Sequence, residues 1–127
     1  MISDPKEIDQ ILRNIIKKHI GPLQIRKDEE NVLEAAGTIP TMQGKQKVDG
    51  FYFASVMPKP KDVRLYFFPI YTDAQNFEHI PPTLRKCLKG KSCFHIKKLD
   101  ESLQQEIAEM IATGVKIYQE KKLLITE

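Results

Sequence analysis

Apolar residues near the start of the chain recur at the spacing of one helix face. Asp4 can cap such a helix and Pro5 fits its first position. Gly21 and Pro22 would then end it. The pattern predicts an amphipathic first helix whose apolar side needs a surface to pack on. That side consists of Ile8, Ile11, Leu12, Ile15, Ile16 and Ile20.

A second apolar stripe with helical spacing occupies the last part of the chain, and Asp100 can cap its helix. Gly114 lies within this stripe, although glycine is about 1 kcal/mol less favourable than alanine inside a helix. We therefore expect another element to approach the helix closely at Gly114. The stripe consists of Leu103, Ile107, Met110, Ile111, Gly114, Ile117 and Tyr118.

Runs of aromatic and β-branched residues between the two helices predict strands. The predicted strands cover residues 32–40, 44–50, 51–57 and 63–71, and a further one follows Gly90 in KSCFHIKK. A polar connection at 59–62 predicts a hairpin, and a short helical segment after Asp73 would finish with TLRKCLKG, ended by Gly90. This order favours an α+β fold: an antiparallel sheet of about four to six strands, with the N- and C-terminal helices packed on one face.

Alternation along the predicted strands sorts their side chains onto two faces. One face carries Val63, Leu65, Phe67, Phe94 and Ile96, and the other carries Arg64, Tyr66, Phe68, Cys93, His95 and Lys97. Because the second set mixes apolar surface with polar tips, we expect a ligand or partner to meet the sheet there, away from the helices. The candidate ligand-binding residues are Tyr52, Tyr66, Phe68, Cys93 and His95. A second small core or a dimer interface is the alternative use of the same residues.

The segment CLKGKSCFHIKK, residues 87–98, contains both cysteines, one histidine and four lysines. Cys87, Cys93 and His95 lack the paired spacing of a four-ligand zinc site. The letters KGKS resemble the end of a phosphate-binding P-loop, but Arg85 stands where its first glycine belongs and a helix precedes the motif. Cys93 and His95 would lie about 6–7 Å apart along a strand, which is loose for a catalytic dyad. We therefore expect a helix end and a strand, with no catalytic residue and no metal site.

Composition and charge narrow the classes of protein further. A length of 127 residues suits one domain, and 41% hydrophobic with 29% charged residues is an ordinary globular composition. The net charge of +3 is too small to indicate a dedicated nucleic-acid binder, although Arg85, Lys86 and the four lysines of 87–98 lie close together. We expect one domain over residues 1–127 and no binding of nucleic acid.

The number of cysteines and the hydropathy of the chain indicate in which cellular compartment the protein is found. Two cysteines are too few for a disulfide-stapled secreted domain. The start, MISDPKEIDQ, lacks the positive region and apolar run of a signal peptide, and no apolar stretch is long enough to span a membrane. The expected location is the cytoplasm, without membrane partners.

Two groups of acidic residues are candidates for iron ligation, because carboxylate oxygens suit hard cations. A solvated surface is the alternative reading of both groups. They are Asp28, Glu29, Glu30 and Glu34 near the start, and Glu106 with Glu109 one turn apart on the last predicted helix.

Three segments resemble the bacterial YdhG-like domain family: VDGFYFASV (48–56), YFFPIYTD (66–73) and LRKCLKGKSCFHIKKLDESLQQEI (84–107). The resemblance covers about residues 30–121, most of the chain. It implies a small cytoplasmic α+β domain with no catalytic motif to map onto these residues. One branch of the family resembles frataxin in fold and is described as an iron chaperone, which makes iron the one cofactor that the resemblance implies.

Three classes of function stay open on the sequence alone. The first is carriage of iron or a metabolite, the second is a protein-interaction module that acts as a homodimer, and the third is a small-molecule enzyme. The sequence offers no catalytic triad and no cofactor fingerprint. We therefore expect a non-enzymatic binding or carrier domain of the YdhG-like kind, with a small-molecule or protein partner.

Overall fold

Seven strands and four short or long helices make up the computed structural model, which describes residues 1–125. The helices are α1 (Pro5–Lys17), α2 (Pro69–Thr72), α3 (Pro82–Arg85) and α4 (Glu101–Glu120), with a 3-10 turn at Ala74–Phe77. The strands are β1 (Gln24–Glu29), β2 (Val32–Ala36), β3 (Thr41–Gln43), β4 (Gln46–Val48), β5 (Tyr52–Pro58), β6 (Val63–Phe67) and β7 (Cys93–Ile96).

The main sheet has five antiparallel strands in the order β1-β2-β5-β6-β7, and β3 pairs with β4 in a separate hairpin. Helices α1 and α4, the predicted amphipathic pair, pack against the main sheet. Their caps are the predicted ones, because the Asp4 carboxylate accepts from the Lys6 amide and the Asp100 carboxylate from the Leu103 amide at 2.8 Å. The predicted α+β class and strand number are confirmed.

Aromatic side chains fill the space between the sheet and α4. Phe53 lies edge-on to both Phe67 and Tyr118, with ring centroids 5.6 and 5.2 Å apart, and Phe67 lies edge-on to Phe77 at 5.3 Å. The expected close approach at Gly114 is confirmed, since a Cβ there would lie 2.7 Å from Cζ of Phe67. Glycine at this position therefore lets the helix sit directly on the aromatic layer.

Two strands were missed by the sequence pattern, β1 and the short β3, and the missing β1 shifts the strand order. β1 reads QIRKDE, and its last four residues are exposed, so it shows no apolar alternation. The predicted first strand at 32–40 is therefore the second strand, and it ends at Ala36. The polar strand predicted within 44–50 exists at Gln46–Val48, but it lies outside the main sheet.

The strand predicted at 63–71 ends four residues early. Pro69 starts α2, and Phe68 already has helical backbone angles of φ −65° and ψ −36°. Proline lacks the amide hydrogen that a central strand must donate, so the ladder cannot continue through it. The assignment of Phe68 to the alternating face of the strand is therefore wrong.

The helix predicted to run to Gly90 is also shorter than expected. α3 ends at Arg85, and the backbone then runs beside β7, where the Lys89 amide donates to the Cys93 carbonyl and the His95 amide to the Cys87 carbonyl, both at 2.8 Å. Gly90, with φ +98°, makes the reversal between these two segments. Cys87 therefore lies in the turn that follows α3, not on the helix, and Leu88 after it forms a bridge with Phe94.

Candidate functional site

The face of the main sheet away from α1 and α4 carries a band of polar and aromatic side chains, which we call the open face. Strand register pairs Glu34 with Ser55, Ser55 with Tyr66, and Tyr66 with Cys93 across four strands. A second row pairs Met57 with Arg64 and Arg64 with His95. The open face is defined by Glu34, Ser55, Met57, Arg64, Tyr66, Cys93 and His95.

Alternation along β7 is the feature that points Cys93 and His95 outward. Phe94 and Ile96 are fully buried in the core, whereas Cys93 and His95 are half-buried on the opposite side. This arrangement is the predicted one. Three of the five candidate residues, Tyr66, Cys93 and His95, are thus brought together on two adjacent strands.

The Tyr66 hydroxyl and the Cys93 thiol influence each other. Burial raises the pKa of the Cys93 thiol, while the hydrogen bond with Tyr66 and the charge of Arg64 act in the opposite direction. Burial, with the neighbouring Cys93, also raises the pKa of Tyr66. Both groups are therefore protonated at neutral pH, so they present hydrogen-bonding groups and not anions.

We expect Cys93 to react slowly with iodoacetamide at about pH 8, because only the thiolate attacks and its fraction is small when the pKa is raised. The rate should climb as the pH passes the thiol's ordinary range. Tyr66→Phe should slow the reaction further, since it removes a hydrogen bond that lowers the Cys93 pKa. Peptide mass spectrometry gives the rate at each cysteine. Equal or faster labelling of Cys93 in Tyr66→Phe would contradict the contact.

A buried carboxylate orders the second row of the open face. Asp62 is only 7% exposed, and its Oδ1 accepts from Nε of Arg64 at 2.9 Å. Its Oδ2 lies 3.8 Å from Nδ1 of His95, whose side chain is 25% exposed. Arg64 thus uses one of its five N–H donors to bind Asp62, and this hydrogen bond holds its side chain in place.

Tyr52 joins the open face from the end of β5. Its hydroxyl lies 2.7 Å from Oγ of Ser55, and burial raises the pKa of Tyr52 to about 12. Its ring centroid is 5.6 Å from that of Phe68, which in turn is 5.8 Å from Tyr71. Phe68 therefore reaches the site as a packing partner of Tyr52, although it is not part of the strand.

Both edges of the main sheet are protected against pairing with another strand. β1 exposes Arg26, Lys27, Asp28 and Glu29, and charged residues on an edge disfavour strand addition. The segment 87–89 covers the other edge by its two hydrogen bonds to β7. A homodimer formed through the main sheet, which the sequence left open, would therefore have to use a face of that sheet and not an edge.

Two of the six acidic candidates for iron, Asp28 and Glu34, are engaged in ion pairs. Asp28 contacts Arg13 at 3.2 Å and Lys17 at 2.8 Å, and these cations hold the pKa of its carboxyl below the usual range. Glu34 pairs with Arg26 at 3.0 Å. Across residues 1–125, no three His, Cys, Asp or Glu side chains gather in a geometry that could hold a metal ion.

Sequence reasoning missed two members of the site, Asp62 and Ser55. Asp62 was assigned to the polar connection before β6, but it lies two residues before Arg64, so extending the alternation of β6 by one position would have placed it on the same side. Ser55 could have been found, because it lies at the alternate position of β5 that faces Tyr66.

No family model, no curated protein and no solved structure matches the chain. Within the described part of the chain, none of the helices combines the length and the hydropathy needed to cross a membrane.

Proposed function

We propose that this chain is a non-enzymatic binding or carrier domain that takes a small molecule on the open face of its sheet. The observation that carries the proposal is the row Ser55, Tyr66 and Cys93, flanked by Arg64 and His95, on three adjacent strands. A solvated sheet face usually carries lysine, glutamate or threonine. Half-buried phenol, thiol and imidazole groups in apolar surroundings are typical of small-molecule sites.

The protonation states of Cys93 and Tyr66 favour ligand binding over catalysis by these residues. A thiol whose pKa is raised by burial is a poor nucleophile at neutral pH, and Tyr66 is likewise a weak base there. Both can instead donate and accept hydrogen bonds. Arg64, fixed by Asp62, adds a positive charge for an anionic or carbonyl group of the ligand.

The proposal names a small molecule and not iron, although the resemblance to the YdhG-like family implies iron for one branch. Asp28 and Glu34, two of the three acidic candidates that lie in strands of the sheet, are paired with cations. The proposal also places the protein in the cytoplasm. Both cysteines are free thiols, which fits a reducing compartment.

Native mass spectrometry of the chain purified from its own host tests the proposal. We expect a bound small molecule that is retained by the wild type, and whose dissociation constant rises about 10-fold or more in Tyr66→Ala and His95→Ala, a loss of about 1.4 kcal/mol or more of binding free energy. Lys116→Ala is the matched control, because Lys116 is exposed on α4 at the far side of the sheet.

Two results would count against the proposal. One is equal loss of the ligand in all three variants, which would place it elsewhere. The other is a wild-type dimer that Tyr66→Ala dissociates in light scattering, because the open face would then be covered by a second copy. Thermal unfolding of each variant checks that the fold is retained.

A further inference from the structure

Positive charge is concentrated in one stretch of the chain. Residues 79–99 contain six of the 20 Lys and Arg residues and none of the 17 Asp and Glu residues. This stretch therefore carries a formal charge of +6, and the rest of the chain −3. The small overall net charge conceals this separation.

The fold gathers four of these lysines around one groove. Gly90 reverses the chain, so that Lys86 and Lys89 on one side face Lys97 and Lys98 on the other side of β7. The groove has a volume of about 400 Å³, and Cys87 and His95 complete its lining. All four lysines are exposed, while Cys87 and His95 are half-buried.

No carboxylate of residues 1–125 forms an ion pair with the lysines of the groove. The ion pairs found within residues 1–125 involve Arg13, Lys17, Arg26, Arg64, His95 and Lys121, and none involves a lysine of the groove. Three carboxylates lie nearby, and each accepts a hydrogen bond; that of Asp100, close to Lys98, accepts from the Leu103 amide at 2.8 Å. Asp62 accepts from Arg64, and Glu106, which acts on the Cys87 thiol, accepts from the Thr83 hydroxyl at 2.7 Å.

The chemistry of the lining selects a ligand rich in hydrogen-bond acceptors. Each lysine offers three N–H donors and no acceptor, and lysine commonly binds phosphate as a point charge. A volume of about 400 Å³ lies within the size range of small-molecule sites. Phe94, the one Phe, Tyr or Trp residue of 79–99, is fully buried, so the half-buried imidazole of His95 is the one ring in the lining on which a nucleic-acid base could stack.

We propose that this groove, lined by Lys86, Lys89, Lys97 and Lys98, is a binding site for the diphosphate or similarly charged phosphate group of a small molecule. His95 lies at the border between the groove and the open face. A phosphorylated ligand of the open face would therefore place its charged end here. The phosphate site itself does not depend on the open face taking a ligand.

Titration of the full chain with inorganic pyrophosphate, followed by ¹⁵N NMR, tests this site. We expect saturable shifts in the amides of Lys86 to Lys89 and His95 to Lys98. The double variant Lys89→Gln/Lys97→Gln should raise the dissociation constant about 10-fold or more. Added salt should weaken binding, because the charges are exposed and screened.

The matched control is Lys45→Gln/Lys47→Gln, which removes two exposed lysines of the separate β3–β4 hairpin. It should bind pyrophosphate like the wild type, and Tyr66→Ala should do so as well. Retained pyrophosphate binding in Tyr66→Ala separates this site from the ligand of the open face.

Three results would overturn the proposal. They are the absence of saturable binding, equal loss in the two double lysine variants, and shifts spread over all exposed lysines. The affinity for single-stranded oligonucleotides is the remaining measurement. An affinity that rises with oligonucleotide length and exceeds that for pyrophosphate would assign the lysines to nucleic acid and overturn the small-molecule site.

Discussion

Phe94→Ala is expected to lower the free energy of unfolding by about 3–5 kcal/mol, because it removes a large ring from a close-packed core. Phe94 is fully buried, and its register partners are Leu65 on β6 and Leu88 across the sheet edge. A loss of this size is a large part of the about 5–15 kcal/mol that stabilises a typical domain. Urea unfolding followed by circular dichroism measures it.

His95→Ala is the control on the same strand, one residue away. Its side chain faces the other side of the sheet and is 25% exposed, so we expect a change below about 1 kcal/mol. Because a shift of one residue exchanges the two faces of a strand, the pair of variants tests the register of β7 directly. A larger loss for His95→Ala than for Phe94→Ala would show that the assigned faces are reversed.

Gly50→Ala is the second change with a large expected effect, a loss of about 3 kcal/mol or more, at or above the upper end of the usual overpacking range. A Cβ at this position would overlap the carbonyl oxygen of Gly37 and lie 2.8 Å from Nε2 of Gln24. That amide group already donates to the Gly37 oxygen at 2.8 Å. The clash involves backbone, so a side-chain rotation cannot relieve it.

Asp49→Ala provides the comparison, since Asp49 is the exposed neighbour of Gly50 and should change stability by less than about 0.5 kcal/mol. Thermal and urea unfolding of both variants give the difference. If Gly50→Ala cost less than about 1 kcal/mol, the backbones of residues 37 and 50 would have to separate easily, contrary to their contact here.

The sequence predicted most of the fold wherever one side of an element is buried. The stripe of α4 and the alternation of Phe94 and Ile96 follow directly from burial, which selects apolar residues at a fixed period. β1 was not predicted, because its last four residues are exposed at an edge and therefore show no such period. The end of β6 was predicted too late, because the alternation in the sequence continues into Phe68 although Pro69 already starts a helix.

The candidate site was predictable only in part, for a similar reason. Tyr66, Cys93 and His95 share a face through the period of a strand, which is a local property. Asp62 joins them from the hairpin connection through its hydrogen bond to Arg64, and Lys86 and Lys89 meet Lys97 and Lys98 only because the helix ends at Arg85. Contacts that depend on the position of a turn leave no periodic pattern in the sequence from which they could be predicted.

The short segment 87–89 determines which substitutions this surface can accept during evolution. Its two hydrogen bonds shield the outer backbone groups of β7, and its side chains contribute to the charge of the groove. The same three residues therefore protect this edge of the sheet against pairing with another strand and, through Lys89, attract anions. A substitution that turns the chain there, such as a proline, would remove both properties together, whereas an exchange of Lys89 alone would alter only the second.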